Sequence, residues 1–257
     1  MSKIWERVQL SRSIERATAN DYIANLFTNF VEIKGDLVNS EDSAIIAGFA
    51  KLDGKSIVVI GHEKGKDVDS KVHHNFGMAN PAGYRKAIRA AKLAEKFNFP
   101  IVLLPDTPGA YPGETAEIEG QGYIISECMK IFMRANVPTV TVFIGEGGSG
   151  GAIALGVANK VLMLENATYS ILSPEGFASI IWKDSARAPE AAEILKPDAM
   201  SLKNQGIIDQ IIPENNFNQT ITDLKSEINN EFARLSKLSG IQIRRERELK
   251  YLALSRR

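Results

Sequence analysis

One cysteine, Cys128, stands in 257 residues. That excludes an internal disulfide and a cysteine-rich metal site, and it fits a reducing compartment. Histidine is nearly as scarce, with only His62, His73 and His74. Adjacent side chains such as His73 and His74 diverge on most backbones and have no third ligand at a recognisable spacing, so no metal site is expected. Excess charge is missing too. The 31 basic and 31 acidic residues cancel, so no global field draws the chain to nucleic acid or to a membrane surface. No apolar run reaches the roughly 18 residues of a membrane span. Residues 1–16 are too charged for a signal peptide, and a cytoplasmic protein is expected.

What is present suits an ordinary α/β domain, with 44% hydrophobic and 24% charged residues. Apolar spacing at Trp5, Val8, Ile14, Tyr22, Ile23, Leu26, Phe27 and Phe30 predicts one or two surface helices. Residues 44–52 and 56–61 read as a β-hairpin about an Asp53-Gly54 type I′ turn. Residues 63–75 are polar, Lys-rich and aperiodic, and read as a loop. Asn80-Pro81 opens a helix to about Phe97, with Arg85, Lys86, Arg89 and Lys92 as its wet side. A strand at 101–104 leads into residues 105–113, PDTPGAYPG, whose three prolines and two glycines forbid regular structure. A long helix is predicted from about 116 to 135.

Phe99-Pro100 and Val137-Pro138 each open a strand–glycine loop–helix unit, which argues for parallel strands with right-handed crossovers. Further strands are predicted at 161–164, 169–172 and 207–212, with helices at 174–182, 188–195 and 198–204. A helix over 218–238 and a basic tail over 241–257 close the chain. In that tail Arg244, Arg245, Arg247, Lys250, Arg256 and Arg257 read as solvated or at a subunit contact. No boundary stands out, so one domain is expected. Its parts are a helical region at about 1–40, a core at 41–213 and helices at 214–257.

The densest feature is residues 145–151, GEGGSGG, with five glycines in seven positions. It follows a strand predicted over 140–144 and precedes a helix predicted over 152–157. Three chemistries fit it. Gly145-x-Gly147-x-x-Gly150 with Glu165 beyond matches a dinucleotide fingerprint, although the crossover helix is shorter than parallel strands usually need. Gly147-Gly148-Ser149-Gly150-Gly151 matches a nucleophile elbow, although every histidine precedes Ser149, against the hydrolase order. Third, backbone N–H groups of Gly150 and Gly151 can form an oxyanion hole. Close backbone packing explains one or two glycines more readily than five.

Gly147, Gly148, Ser149 and Ala152 line this first pocket wall. Pro108, Gly109, Ala110, Tyr111, Pro112 and Gly113 offer a second, because both loops follow equivalent strand ends. Ser173-Pro174-Glu175-Gly176 is a capped helix start whose N-terminus adds a third face.

Together these stretches resemble one family, the α subunit of bacterial acetyl-CoA carboxylase carboxyltransferase. The matching motifs begin with Ile60-Gly61-His62-x-Lys64-Gly65, Asn75-Phe76-Gly77-Met78 and Gly83-Tyr84-Arg85-Lys86-Ala87. They continue with residues 106–113, residues 145–151 and Ser173-Pro174-Glu175-Gly176-x-Ala178-Ser179-Ile180-x-Trp182-Lys183. The resemblance runs from about residue 5 to 212. It implies a crotonase-like fold, a spiral of ββα repeats, with helical additions at both termini. It also implies transfer of the carboxyl group of carboxybiotin, carried on a biotin carboxyl carrier protein, to acetyl-CoA. The product is malonyl-CoA, in the first committed step of fatty acid synthesis. In such enzymes carboxybiotin releases CO₂ and the ureido nitrogen then acts as base on the acetyl methyl. By motif match, Gly150 and Gly151 supply one oxyanion hole, on the biotin side.

No cofactor bound to this chain is implied. A β subunit carries the CoA site and a zinc ribbon, in an α2β2 assembly, with biotin carboxylase in the larger complex. Some positions depart from the family pattern. Glu119 stands where relatives commonly carry arginine, Ala82 stands where they carry an acid, and the N-terminal helical region is shorter than in many. Two other functions remain open on the residues. One is a self-contained crotonase-type hydratase or decarboxylase using Glu117 or Glu175; the other is a dinucleotide-binding regulator.

Overall fold

A computed structural model describes residues 3–38 and 40–254, so the predicted basic positions Arg256 and Arg257 lie outside the described residues. Two N-terminal helices form as expected, Lys3–Ser11 (α1) and Ala19–Leu26 (α2). Thr28–Glu32 (β1) was not expected; it is an edge strand with mostly exposed side chains and so lacks an alternating apolar signature. Ile45–Leu52 (β2) and Lys55–His62 (β3) form the predicted hairpin. Asp53 and Gly54 both adopt positive φ, 46° and 82°, as a type I′ turn requires.

Residues 63–75 are not simply a loop, because Val68–His73 (α3) is helical. The Asp67 side chain accepts from Ser70 N at 2.8 Å and caps it. The helix has no buried residue, so there was no apolar period to read. Pro81–Phe97 (α4) has the predicted bounds and ends where Asn98 turns left-handed. Ile101–Leu104 (β4) follows. The single helix predicted after it is two, Glu114–Ile118 (α5) and Gln121–Arg134 (α6). Gly120, at φ 80°, breaks it.

The chain continues through Thr139–Phe143 (β5), Glu146–Gly148 (β6) and Ser149–Ala154 (α7). The helix placed at 152–157 thus begins inside the glycine cluster and ends at Ala154. Lys160–Leu164 (β7), Thr168–Ser170 (β8) and Pro174–Trp182 (α8) come next, then Ala188–Leu195 (α9) and Ala199–Asn204 (α10). Gln210–Ile212 (β9), Phe217–Leu235 (α11) and Gly240–Leu254 (α12) complete it.

One sheet has the order β1-β2-β3-β4-β5-β7-β9, and β6 and β8 form a second, two-stranded layer. From β3 onward the main sheet is parallel. Thr107 bridges to Gly147 and extends the second layer. Each pass of the chain therefore lays down a main strand, a piece of the second layer and a helix. This is the expected ββα spiral. Alternate residues of β3 feed opposite cores: Ile57 and Val59 face α2 and α11, while Val58 and Ile60 face α4 and α6. Each such burial contributes on the order of 2 kcal/mol.

Two cations, Lys86 read on a wet helix face and Arg247 read as solvated or at a subunit contact, are in fact buried within the chain. Lys86 is 0% exposed, donates to Asp42 O at 2.8 Å and pairs with Glu41. Arg247 is also 0% exposed. It donates to the carbonyls of Phe132, Ala135 and Val137 at 2.7, 2.8 and 2.9 Å, and to Asn159 Oδ1. No helix among the described residues is long and apolar enough to cross a membrane.

Candidate active site

Because β4, β5 and β7 run parallel, the segments after them leave from one edge of the sheet. Residues 105–113 lie directly across the glycine segment. Thr107 N donates to Glu146 O at 2.6 Å, and Gly148 N donates to Thr107 O at 2.8 Å. The loop is pinned from behind: Gln121 Nε2 donates to Ala79 O at 2.9 Å and to Tyr111 O at 3.0 Å. One narrow cleft then joins Pro108, Gly147 and Gly148 to Ser173 and Pro174. One or two residues of each predicted wall thus share this cleft. The other predicted positions, Gly109 to Gly113, Ser149 to Ala152, Glu175 and Gly176, do not line it.

Packing accounts for more of the glycines than the sequence suggested. A Cβ on Gly148 would lie 2.0 Å from Pro108 O, and one on Gly151 would lie 2.6 Å from the Gly109 carbonyl carbon. A Cβ on Gly147 would likewise meet Thr168 O at 2.8 Å, and one on Gly145 would collide with the Asp106 carboxylate. Gly150 is the least crowded of the five: a Cβ there would meet only the Ile125 side chain, at 3.3 Å, a tight contact with a flexible end. Close approach and a polar function coexist, however. The N–H groups of Gly150 and Gly151 begin α7 and find no acceptor among the described residues. Just before them Ser149 holds φ 48°, a left-handed conformation costly for a residue with a side chain.

Charged residues surround this backbone, and of these the sequence assigns a role only to Glu175. Lys64 Nζ sits 2.8 Å from Asp106 Oδ1 and 3.5 Å from Glu146 Oε2. Burial lowers the Lys64 pKa, but Asp106 and Glu146 outweigh it and leave the ammonium above its usual value. Asp106 Oδ1 also accepts from Glu146 N at 2.8 Å. Arg12 Nε donates to Glu146 Oε1 at 2.7 Å, and Arg12 Nη1 donates to Glu175 Oε1 at 2.7 Å. Burial pushes the Glu175 carboxyl up, yet the Arg12 hydrogen bond and charge bring it below the usual range. A cavity of about 300 Å³ opens here, lined by Arg12, Arg16, Lys64, Lys71, Asp106 and Glu146 among others.

The other sequence candidates are accounted for elsewhere. Glu165 accepts from Arg7 Nη2 at 3.1 Å, so it is already engaged. Glu117 is exposed on α5. Glu119 lies 3.3 Å from Arg85 Nη2, so its contact is internal to the chain. No histidine hydrogen-bonds Ser149: His74 Nδ1 lies 2.6 Å from Ser43 O, and His62 is wholly buried. Both His62 nitrogens lack a partner among the described residues, and burial, aided by Lys64, lowers its pKa to about 3. Among the described residues no group of three or more His, Cys, Asp or Glu side chains is placed to hold a metal ion.

A family model described as acetyl co-enzyme A carboxylase carboxyltransferase-like matches residues 2–255. The acetyl-coenzyme A carboxylase carboxyl transferase subunit alpha of Bacillus cytotoxicus is 46% identical over 258 residues, covering 98% of this chain and 80% of that protein. Among solved structures, transcarboxylase 12S with methylmalonyl-coenzyme A and methylmalonic acid bound superposes with TM-score 0.72 at 20% identity. That match covers 90% of this chain, and this chain spans 44% of that one. A Pseudomonas malonate decarboxylase hetero-tetramer in complex with coenzyme A gives TM-score 0.66 at 15% identity, over 77% of this chain and 82% of that one. These likenesses identify the fold as crotonase-like.

Proposed function

The chain belongs to the acetyl-CoA carboxylase carboxyltransferase family, and on that premise we propose that it is the α half of a two-chain carboxyltransferase. The carboxyl group of carboxybiotin, presented by a biotin carboxyl carrier protein, is transferred to acetyl-CoA to give malonyl-CoA. As carboxybiotin loses CO₂, negative charge gathers on the biotin oxygen; the free N–H groups of Gly150 and Gly151 are aimed at that charge. The observation that carries this assignment is their lack of any acceptor where α7 meets the loop 105–113. The freed ureido nitrogen then takes a proton from the acetyl methyl. In this reading the segments Pro108 to Gly113, Gly147 to Ala152 and Ser173 to Gly176 build the biotin pocket, with Pro108, Gly147, Gly148, Ser173 and Pro174 lining its cleft and the rest supporting them.

Glu175 is held ionised by Arg12, which disfavours the alternative of a self-contained hydratase or decarboxylase with Glu175 as general acid. With one cysteine the chain has no zinc ribbon of its own, and in this proposal the β subunit supplies it together with the CoA site. Apolar surface supports a partner there. Ile118 and Tyr123 are 78% and 70% exposed, on α5 and α6, and Ile125 of α6 faces Gly150. The working assembly is α2β2 in the cytoplasm, joined by biotin carboxylase and the carrier. Residues 1–40, 41–213 and 214–257 act as helical cover, catalytic core and helical cover of one domain.

Reconstitution tests this. Malonyl-CoA is expected when the chain is mixed with a β subunit, carboxylated carrier and acetyl-CoA, and not from either subunit alone. Gly151→Ala drives a methyl into the Gly109–Ala110 backbone, and about a 10²-fold loss of kcat is expected. Gly150→Ala keeps its N–H and meets only a side-chain end, so activity within a few fold of wild type is expected. Equal activity from Gly151→Ala and wild type rejects the oxyanion assignment. Turnover of an enoyl-CoA or malonyl-CoA by the isolated chain favours the self-contained enzyme instead.

A further inference from the structure

Arg12 joins two walls of the pocket that are otherwise held by different parts of the fold. Its Nε takes Glu146, on the glycine strand β6. Its Nη1 and Nη2 take both oxygens of Glu175, in the first turn of α8, at 2.7 and 3.3 Å. The two walls differ in how firmly they are held. Glu146 is fixed from behind by Lys64 and by its own N–H on Asp106. Helix α8 buries only Pro174 and Ala178, and Ile171 just before it is 81% exposed. The arginine itself is anchored by its neighbour: Thr168 Oγ1 donates to Ser11 Oγ at 3.1 Å, and both residues are buried.

We propose that Arg12 is a positioning residue of the carboxyltransferase site, a clamp that sets the Ser173–Gly176 wall at a fixed distance from the glycine strand. The proposal rests on the function argued above. Arg12 and Glu175 side chains are 32% and 38% exposed, and ion pairs this open add little to global stability. Their effect is local: they hold a thinly packed helix start in register with a rigid strand. The planar fork is essential. One edge reaches one carboxylate while the other face binds a second in bidentate fashion, and a lysine ammonium cannot span both.

The test uses the full chain with its β subunit and a double-mutant cycle of Arg12→Ala, Glu175→Gln and the pair. Arg12→Ala is expected to lower kcat about 10–100-fold, the scale of an ångström-sized misplacement. KM for acetyl-CoA, which the β subunit binds, should stay within about twofold. The double variant should be no worse than the poorer single variant, and Arg12→Lys should not restore the rate. Losses that add in full, an unchanged kcat or full rescue by lysine overturn the clamp. A second readout needs no turnover: hydrogen exchange over residues 171–182 should quicken at least tenfold in Arg12→Ala while β4 and β5 keep their protection. Unaltered exchange at 171–182, or equal loss throughout the sheet, also overturns it. If the wild-type assembly makes no malonyl-CoA the assigned function fails, and the exchange result still decides whether Arg12 clamps the wall.

Discussion

His62 is a buried polar residue outside the pocket. It ends β3, is fully buried beside Tyr84 and carries no hydrogen bond on either ring nitrogen. The folded protein holds it neutral, with a pKa of about 3 against 6.5 for an unperturbed imidazole. Between those values the unfolded chain binds a proton that the folded chain refuses. Its contribution is therefore complete above pH 6.5 and declines as pH falls toward 3, by about 1.4 kcal/mol per pH unit. Urea unfolding of wild type and His62→Phe between pH 4 and 7 checks this. The wild type should lose stability with the steeper slope; parallel slopes mean that His62 does not titrate in this way. The motif around His62 was visible in the sequence, but its burial was not. A histidine at a strand end reads the same whether its ring faces water or α4. The same limit applied to the glycines. Their number marked the site, while the near contacts that require four of them come from Asp106, Pro108, Gly109, Phe143 and Thr168, residues whose approach no local pattern encodes.

Elements with chemically explicit ends were legible at nearly residue precision. Asn80-Pro81 opens α4, Ser173-Pro174-Glu175 opens α8, and Asp53-Gly54 makes the hairpin turn. Elements set by a single conformational choice were not: the break at Gly120 divides a pattern that remains apolar on both sides. Buried cations failed for a third reason, since their partners lie far away in sequence. Arg247 reaches back more than 100 residues to cap the end of α6, taking the Ala135 carbonyl and sharing the Phe132 carbonyl with the Ala135 N–H. Burial lowers its pKa to about 10, so it stays charged at neutral pH. Replacing it with methionine keeps much of the volume but removes the charged donor from these carbonyls and from Asn159 Oδ1, which retains only the Thr139 N–H among the described residues. We expect a loss of about 3–5 kcal/mol, the range for breaking a buried charged network. The urea midpoint should fall accordingly, whereas kcat of the protein that remains folded should not. A shift under about 1 kcal/mol, the size of a single hydrogen bond, means that water replaces the guanidinium and α12 is not latched.

At the scale of the whole molecule, the helical additions at both ends share a core with the sheet. Tyr22, Ile23 and Leu26 of α2 pack in one cluster with Ile221, Leu224, Ile228 and Phe232 of α11, over Val59, Val102 and Val140. Tyr22 and Phe217 bring their rings to 5.5 Å, and Arg16 pairs with Glu214 at 2.8 Å. On the opposite face Tyr251 of α12 donates to Gly156 O at 3.0 Å. A core cut at 41–213 would expose both clusters, so the three parts should unfold together despite a length at which intermediates are common. The two tryptophans provide the test, because Trp5 lies in α1 and Trp182 ends α8. In Trp5→Phe and Trp182→Phe variants the remaining indole reports one region alone. Both fluorescence transitions should coincide with the far-ultraviolet circular dichroism transition in urea. A Trp5 signal that melts at lower urea than the helical signal separates the N-terminal cover from the core. In that case the Arg12 clamp opens before the sheet does, and the pocket wall it holds is lost while the protein is still largely folded.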